Sequence, residues 1–209
     1  MQVPLLHRSK EEEMKILVAV PTFENIQPEV FKAIYEMDKG GHQVDFDFVK
    51  GYDCANARNR IIQLGEEGSY DYVMMVDSDT IPPKNALVDM LDPPSDVVLG
   101  CCPRKNTKEK QAPMSPLSCY DMSQCLYYDK DLQGMERIEL RVGGFACALI
   151  DMRIFKEWEF PFFVFEQHND GGILSEDYYF CLKAVSFGFH VQADPRVKCG
   201  HLARYYQYE

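Results

Sequence analysis

Two acidic residues, Asp77 and Asp79, directly follow a continuous apolar run at residues 72–76. Neighbouring carboxylates repel each other unless a cation neutralises them, and a hard divalent ion that also binds substrate phosphates would do so. The D-x-D spacing is weak by itself, and the alternative is a loop that happens to carry two acids. The position after an apolar run, which is typical of a strand buried on both faces, favours the metal and phosphate site. His201 could join Asp79 in an oxygen and nitrogen site that suits manganese, although a lone histidine is more often a packed or surface residue.

A second acidic pair, Glu176 and Asp177, follows Ser175, which is a good N-cap for the helix that the apolar spacing predicts next. The helix dipole alone favours acids in a first turn, so a purely structural role is one interpretation. The other interpretation is a general base. A carboxylate at a helix start in an α/β sheet lies on the ligand side, where it could take a proton from an incoming hydroxyl.

Arg58 and the pair Gly143-Gly144 are further candidates for ligand contacts. Arg58 falls near the first turn of a helix for which Asp53 is the predicted N-cap. A cation is unfavourable there unless it shares an anion such as a phosphate, and the alternative is an ordinary surface arginine. The two glycines permit either a close approach of the backbone to a ligand or a tight turn.

The elements that must position these residues alternate in the first half of the chain. Four strands are predicted at residues 16–20, 44–49, 72–76 and 97–99. Helices are predicted between them, and a last strand is predicted at residues 189–192. This alternation predicts a parallel, doubly wound α/β layer in which ligands bind beyond the carboxyl ends of the strands.

The middle of the chain interrupts that order. Residues 103–118 are polar and contain Pro113 and Pro116, which oppose regular structure, so we expect a mobile loop over the site. Residues 125–128 and 138–142 could form a hairpin. The aromatic stretch at residues 161–165 is interpreted as core in preference to a platform for an acceptor.

Composition bounds the class of protein. The 209 residues carry a formal net charge of -11, which disfavours nucleic acid as the main partner. The eight cysteines form no C-x-x-C pair and several lie in apolar segments, so we expect reduced, buried thiols. Neither a signal peptide nor an apolar run long enough for a membrane helix is recognisable, which favours a cytoplasmic protein. We expect a flexible tail over residues 1–13 and a single domain over residues 14–209.

The ordered set of motifs resembles the GT-A fold of nucleotide-sugar-dependent glycosyltransferases, in particular the large inverting group called family two. The matching stretches are residues 18–23, Ala57-Arg58-Asn59, Asp77-Ser78-Asp79, Gly143-Gly144, Glu176-Asp177 and His201. They span about residues 15–202, and the compact form is similar to small bacterial or phage-encoded transferases. The resemblance implies a mostly parallel central sheet flanked by helices, with a small C-terminal β part that serves the acceptor.

The resemblance also implies roles for residues on the donor side. The residues that would line the nucleotide pocket are Pro21, Thr22, Phe23 and Glu24. Arg58 would contact the pyrophosphate or brace the acidic motif, and Gly143 and Gly144 would pass close to the donor sugar. Asp77 would face the ribose or the metal.

The remaining implied roles concern the metal and the proton transfer. Asp79 would bind Mn²⁺ or Mg²⁺ with His201 as an additional ligand, and Asp77 is the third candidate ligand. Asp177, or less readily Glu176, would deprotonate the acceptor. The implied activity is that of a hexosyltransferase-type enzyme that takes a UDP-sugar in preference to other donors and transfers the sugar to a hydroxyl group, with inversion favoured over retention.

Two other classes stay open at the level of sequence. A sugar nucleotidylyltransferase shares a related sheet but normally carries a glycine-rich, basic phosphate loop after the first strand, and residues 21–27 show none. A non-catalytic module that binds nucleotide sugars is the other alternative. The donor base and sugar, the acceptor and the oligomeric state are not determined by the sequence.

Overall fold

The structure is a computed structural model that describes residues 12–23, 25–51, 53–105, 112–118, 132–134, 136–167 and 171–202. Glu24, the predicted strand at residues 125–128 and residues 1–11 of the predicted tail lie outside this described part. Among the described residues, no helix combines the length and the apolar character that a membrane crossing requires.

The centre of the fold is an eight-stranded sheet in the order β2-β1-β3-β8-β5-β11-β7-β6. Its strands are β1 (Lys15–Thr22), β2 (Gln43–Lys50), β3 (Tyr72–Val76), β5 (Val97–Cys101), β6 (Met114–Pro116), β7 (Ile138–Gly143), β8 (Cys147–Asp151) and β11 (Val191–Lys198). The shorter strands are β4 (Thr80–Ile81), β9 (Glu166–Gln167), β10 (Ile173–Leu174) and β12 (Gly200–His201), which pair as β4 with β12 and β9 with β10.

Most strands of the large sheet run in one direction. Strand β1 pairs in parallel with β2 and β3, and β5 pairs in parallel with β11. Strands β8 and β7 run opposite to the other six, because each is antiparallel to both of its neighbours. The sheet is therefore mixed and mostly parallel, which confirms the predicted fold class.

Within the described residues, four helices cover the two faces of the sheet: α1 (Pro28–Tyr35), α2 (Cys54–Glu67), α3 (Ala86–Leu91) and α4 (Glu176–Ser186), with a short 3₁₀ helix at Met152–Lys156. Successive side chains of a strand point to opposite faces. In β1, Leu17 packs in the core layer that contains Ile61 of α2 and Phe180 of α4. Its neighbour Val18 packs in the layer that contains Val30 of α1 and Leu87 of α3. The continuous apolar runs are thus explained by burial on both faces.

Two segments differ from the sequence-based expectation. Met114–Pro116 forms the edge strand β6 although it contains a proline, because an edge position leaves one side without ladder bonds and the register shifts between Ser115 and Pro116. The last long strand covers Val191–Lys198 where residues 189–192 were predicted. It continues through Pro195 because the pairing with β5 shifts register between Asp194 and Lys198.

Candidate active site

A pocket of about 440 Å³ lies beyond the carboxyl ends of β1 and β3. Five predicted site residues line it: Pro21, Thr22, Phe23, Asp77 and Asp79. The other lining residues are Gly51, Asp53, Cys54, Ala57, Ser78 and Phe165. Parallel neighbours in a sheet end at the same rim, which is why β1 and β3 bring stretches about 55 residues apart into one cavity.

Thr22 carries the least satisfied polar atom of the pocket. Its side chain is 7% exposed, and its Oγ1 has no hydrogen-bond partner among the residues that the structure describes. A buried hydroxyl without a partner costs free energy, so the site is better satisfied when a polar ligand atom reaches it.

Helix α2 begins at the pocket. The Asp53 side chain accepts a hydrogen bond from the Asn56 backbone N–H at 2.7 Å, which confirms the predicted N-cap. Cys54 and Ala57 of the first turn form part of the pocket wall. The positive end of a 14-residue helix is therefore directed to the place where an anion would bind.

Arg58 joins the two acidic pairs. Its Nη2 lies 3.1 Å from Asp77 Oδ1 and its Nε lies 3.2 Å from Glu176 Oε1. Its Nη1 donates to the carbonyl of Phe145 at 3.1 Å. The residue is 3% exposed, so the guanidinium sits inside the protein between two carboxylates that are 99 residues apart in sequence (176 − 77). Burial raises the pKa of Glu176, and the guanidinium opposes this rise.

Asp79 does not contact Arg58 in this way and is paired with His201 and Lys105. The Asp79 Oδ1 lies 3.4 Å from His201 Nε2, and the ammonium of Lys105 contacts Asp79 Oδ2. Pairing of β12 with β4 sets this geometry, because His201 lies opposite Thr80 and the Leu202 N–H donates to the Asp79 carbonyl at 2.9 Å. Although burial opposes ionisation of Asp79, these partners lower its pKa to about 2. Hydrogen bonding to Asp79 raises the pKa of His201 to about 10.

The facing atoms of Asp79 and His201 have the spacing of two ligands of one divalent ion, which Nε2 would bind after it releases its proton. His201 Nδ1 lies 2.7 Å from the Pro103 carbonyl, which can only accept, so Nδ1 carries a hydrogen and Nε2 is the nitrogen that faces Asp79. Two ligands that are each about 2.1 Å from one ion lie about 3 to 3.5 Å apart, as this oxygen and nitrogen do. Across the described part of the chain, no three His, Cys, Asp or Glu side chains converge as a ligand set. An ion here would take its other ligands from water or substrate.

Comparison with solved structures shows what kind of fold carries this site. A197 from STIV matches with a TM-score of 0.64 at 15% identity, over 91% of this chain and 87% of that chain. GalNAc-T7, in a structure with UDP, GalNAc and Mn²⁺, matches with a TM-score of 0.62 at 9% identity over 95% of this chain. GT-A glycosyltransferases are thus among the matches. The chain has the GT-A fold.

Other matches agree with this fold and widen its functional range. TarS from S. aureus matches with a TM-score of 0.51 at 16% identity over 91% of this chain. The inositol-1-phosphate CTP transferase from T. maritima matches with a TM-score of 0.50 at 12% identity over 91% of this chain and 89% of that one. The chain spans only 47% of the GalNAc-T7 chain and 37% of the TarS chain. No protein-family model and no curated protein matches the sequence.

The second acidic pair of this GT-A fold lies at the start of α4, and its two carboxylates differ in their surroundings. Glu176 is 6% exposed and bound to Arg58. Asp177 Oδ1 accepts hydrogen bonds from the Ser175 hydroxyl and from the Tyr178 N–H at 2.8 Å. Ser175 is the N-cap as predicted, but its hydroxyl binds Asp177 and makes no capping bond. Asp177 is thus held at the helix start by Ser175 and by the Tyr178 N–H.

The two glycines have different surroundings. A Cβ placed on Gly144 would lie 3.6 Å from Asp177 Oδ2 and 3.0 Å from the Pro113 side chain, so Gly144 lies beside the acidic pair of α4. A Cβ on Gly143 would lie 2.5 Å from Leu99 Cδ1, so Gly143 is required by packing inside the sheet.

Sequence reasoning missed two residues of the site. Lys105 lies in the polar stretch at residues 103–118, which by itself predicts only a loop, and its contact with Asp79 places it beside the candidate site. Phe165 was grouped with core aromatics. Phe162 and Phe163 are buried, but Phe165 is 46% exposed and lines the pocket. The run of aromatics contains no signal that separates Phe165 from its neighbours.

Proposed function

We propose that this chain is a metal-dependent glycosyltransferase. It moves a sugar from a nucleotide-diphosphate donor, with a UDP-sugar favoured, to the hydroxyl of an acceptor and inverts the anomeric centre. The observation that carries the proposal is the Arg58 bridge, since one buried cation ties the D-x-D carboxylate Asp77 to the acidic pair on α4 at the rim of a pocket of nucleotide size.

The contacts of Arg58 support different roles for the four carboxylates of the rim. Arg58 forms ion pairs with Asp77 and Glu176, so it acts as a positioning residue that holds both acids in place. Glu176 is buried and paired and is therefore a poor base for an incoming hydroxyl. Asp177 lies one residue further, next to Gly144, and is the general base in this proposal.

The donor side follows from the pocket. Pro21, Thr22 and Phe23 would hold the nucleoside, with Thr22 Oγ1 available for a polar atom of the ligand. The first turn of α2 would attract the diphosphate. Asp79 and His201 would hold Mn²⁺ or Mg²⁺, which when bound supplies positive charge for the leaving diphosphate.

Sugar nucleotidyl transfer is the second candidate, because the inositol-1-phosphate CTP transferase shares the fold. The loop after β1 argues against it, since residues 21–27 contain no lysine, arginine or glycine to cradle a triphosphate. The two activities have different products. A glycosyltransferase releases a nucleoside diphosphate from a nucleotide sugar, whereas a nucleotidylyltransferase releases inorganic diphosphate from a nucleoside triphosphate and a sugar phosphate.

The deciding experiment is a screen of nucleotide sugars with Mn²⁺ for thermal stabilisation, followed by measurement of released nucleoside diphosphate. We expect release from one donor class, and loss of that release in Asp79→Ala. Release that survives Asp79→Ala unchanged would contradict the metal site. Release of inorganic diphosphate from a nucleoside triphosphate would favour the second candidate.

The base is tested separately with Asp177→Asn. This change keeps the size of the side chain and removes the proton acceptor, so donor affinity should stay within about twofold while transfer falls by about 10² to 10⁴. Glu157→Gln, which alters an exposed carboxylate outside the pocket lining, serves as the control. Weak donor binding in Asp177→Asn would instead indicate a role on the donor side.

A further inference from the structure

Asp79 has a side-chain partner on each of its two oxygens. His201 lies on Oδ1 and the ammonium of Lys105 lies on Oδ2. Lys105 follows the end of β5 by four residues and comes from a different part of the chain than His201. Its side chain is 37% exposed, so it reaches the carboxylate from the solvent side of the rim.

The ammonium contacts Oδ2 of the same carboxylate whose Oδ1 would bind a divalent ion. An ion bound between Asp79 and His201 would lie within a few ångströms of any cation on Asp79, and two like charges at that distance repel strongly. Lys105 and the ion therefore compete for one carboxylate. The lysine stem is unbranched and partly exposed, so the ammonium can move without disturbing the core.

The charges at the sheet rim indicate which group Lys105 would contact after an ion displaces it from Asp79. The sheet rim carries Asp77, Asp79, Glu176 and Asp177, of which Asp77 and Glu176 already share the single charge of Arg58. A nucleoside diphosphate bound at the ion would bring the strongest negative charge to within reach of the displaced ammonium.

We propose that Lys105 is a built-in counter-ion of Asp79 that becomes a ligand of the donor diphosphate when ion and nucleotide are bound. The inference rests on the proposed function, since it needs a diphosphate ligand at Asp79. It adds Lys105 as a donor-binding residue that pairs with the metal carboxylate before the donor arrives.

Two affinities test this inference by calorimetry on the full chain. With Mn²⁺ alone, Lys105→Gln should bind the ion about three- to tenfold more tightly than the wild type, because the competing cation is gone. With saturating Mn²⁺, the same variant should bind UDP about tenfold more weakly, because a charge-assisted hydrogen bond to the diphosphate is lost. The affinity for UMP, which lacks the β-phosphate, should change by less than about twofold.

Two further variants serve as controls. Lys105→Arg keeps the charge and should restore much of the UDP affinity, whereas Lys39→Gln removes an exposed lysine outside the pocket lining and should match the wild type. A thermal melt of Lys105→Gln near that of the wild type shows that the variant is folded.

The outcomes separate this inference from the proposed function. Unchanged UDP affinity in Lys105→Gln, with normal binding by the wild type, overturns the role of Lys105 and leaves the glycosyltransferase proposal standing. A similar loss for UMP and UDP also overturns it, because the β-phosphate would then not be the partner. Absence of binding of any nucleoside diphosphate by the wild type with Mn²⁺ overturns both.

Discussion

At the scale of single residues, Arg58 has the largest energetic consequence in the site. Alanine at this position leaves Asp77 and Glu176 without their shared counter-ion, and Glu176 is buried. Breaking a buried ion pair by removing one partner costs about 3 to 5 kcal/mol. We therefore expect Arg58→Ala to lower the free energy of unfolding in urea by about that amount, and to raise the dissociation constant for UDP in calorimetry.

The same helix provides the matched control. Arg60 is two residues further and pairs with Glu67 on the exposed surface at 2.8 Å. Exposed pairs contribute little because water screens them, so Arg60→Ala should leave stability and UDP affinity nearly unchanged. Equal effects of the two substitutions would show that Arg58 acts as an ordinary helix residue.

Thr22, unlike Arg58, is expected to contribute to ligand binding without contributing to stability. Its Oγ1 is buried and has no partner among the described residues, so Thr22→Val removes no intramolecular hydrogen bond while keeping the shape of the side chain. We expect the free energy of unfolding to stay equal or to rise by about 1 kcal/mol. The affinity for UDP, measured by calorimetry with Mn²⁺, should fall by about three- to tenfold. Destabilisation of this variant with unchanged affinity would contradict the assignment of Thr22 to the nucleoside pocket.

At the scale of elements, a second ionic cluster holds the end of α3 against the sheet. Asp194 on β11 is fully buried and bound by Arg137 Nε at 3.0 Å and by Arg196 Nε at 2.9 Å. Both arginines also donate to backbone carbonyls of residues 89–93, where α3 ends. These donors satisfy carbonyls that a helix end leaves unpaired.

This cluster predicts a pH dependence of stability. Burial opposes ionisation of Asp194, but the hydrogen bonds from Arg196 and Arg137 outweigh it and lower the pKa of Asp194. A group whose pKa is depressed in the folded state stabilises the protein above its unfolded pKa of about 3.9, and this contribution disappears as the pH falls through the folded pKa. The difference in unfolding free energy between wild type and Asp194→Asn should therefore be largest near neutral pH and should narrow below about pH 4.

Urea unfolding curves over a pH series measure this difference. Glu159→Gln, which changes an exposed carboxylate, is the control and should differ from the wild type by a small amount at every pH. A difference for Asp194→Asn that stays constant as the pH falls would mean that the carboxylate does not titrate with folding.

Elements with a local signal were predictable from the sequence, and those that depend on distant pairing were not. Strand β3 and the Asp53 cap follow from apolar runs and capping chemistry within a few residues. The insertion of antiparallel β8 between β3 and β5 has no local signature, since an apolar run does not encode its direction or its neighbours.

The candidate site shows the same division. The acids of the candidate site could be predicted because their types and spacing suit metal binding and proton transfer. The Lys105 contact with Asp79 arises only when the end of β5 meets the loop after β3. The sequence indicates no role for Asn59 beyond its place in the motif Ala57-Arg58-Asn59. In the structure its side-chain amide binds Phe162 and Phe163 and fixes the aromatic segment on α2.

At the scale of the whole molecule, charge and burial are distributed unevenly. The sheet is closed by helices on both faces, and the carboxylates of the candidate site gather at one rim with Arg58, Lys105 and His201. These cations come from α2, from the segment after β5 and from β12, so the site forms only when the sheet is complete. Loss of the fold should therefore remove donor binding in a single step.

Thiol accessibility tests this arrangement across the molecule. Of the described cysteines, Cys54 is exposed at the pocket and the other five are buried, namely Cys101, Cys102, Cys147, Cys181 and Cys199. In the native protein, N-ethylmaleimide should modify Cys54 first among these six, and peptide mass spectrometry identifies the site.

UDP at about ten times its dissociation constant, with Mn²⁺, should slow this modification about tenfold, because ligand and reagent compete for one pocket. Replacing Cys119 and Cys125 by serine removes the two cysteines that lie outside the described residues. Equal labelling of Cys54 with and without UDP would separate the pocket from nucleotide binding, and rapid native labelling of the five buried cysteines would contradict the closed sheet.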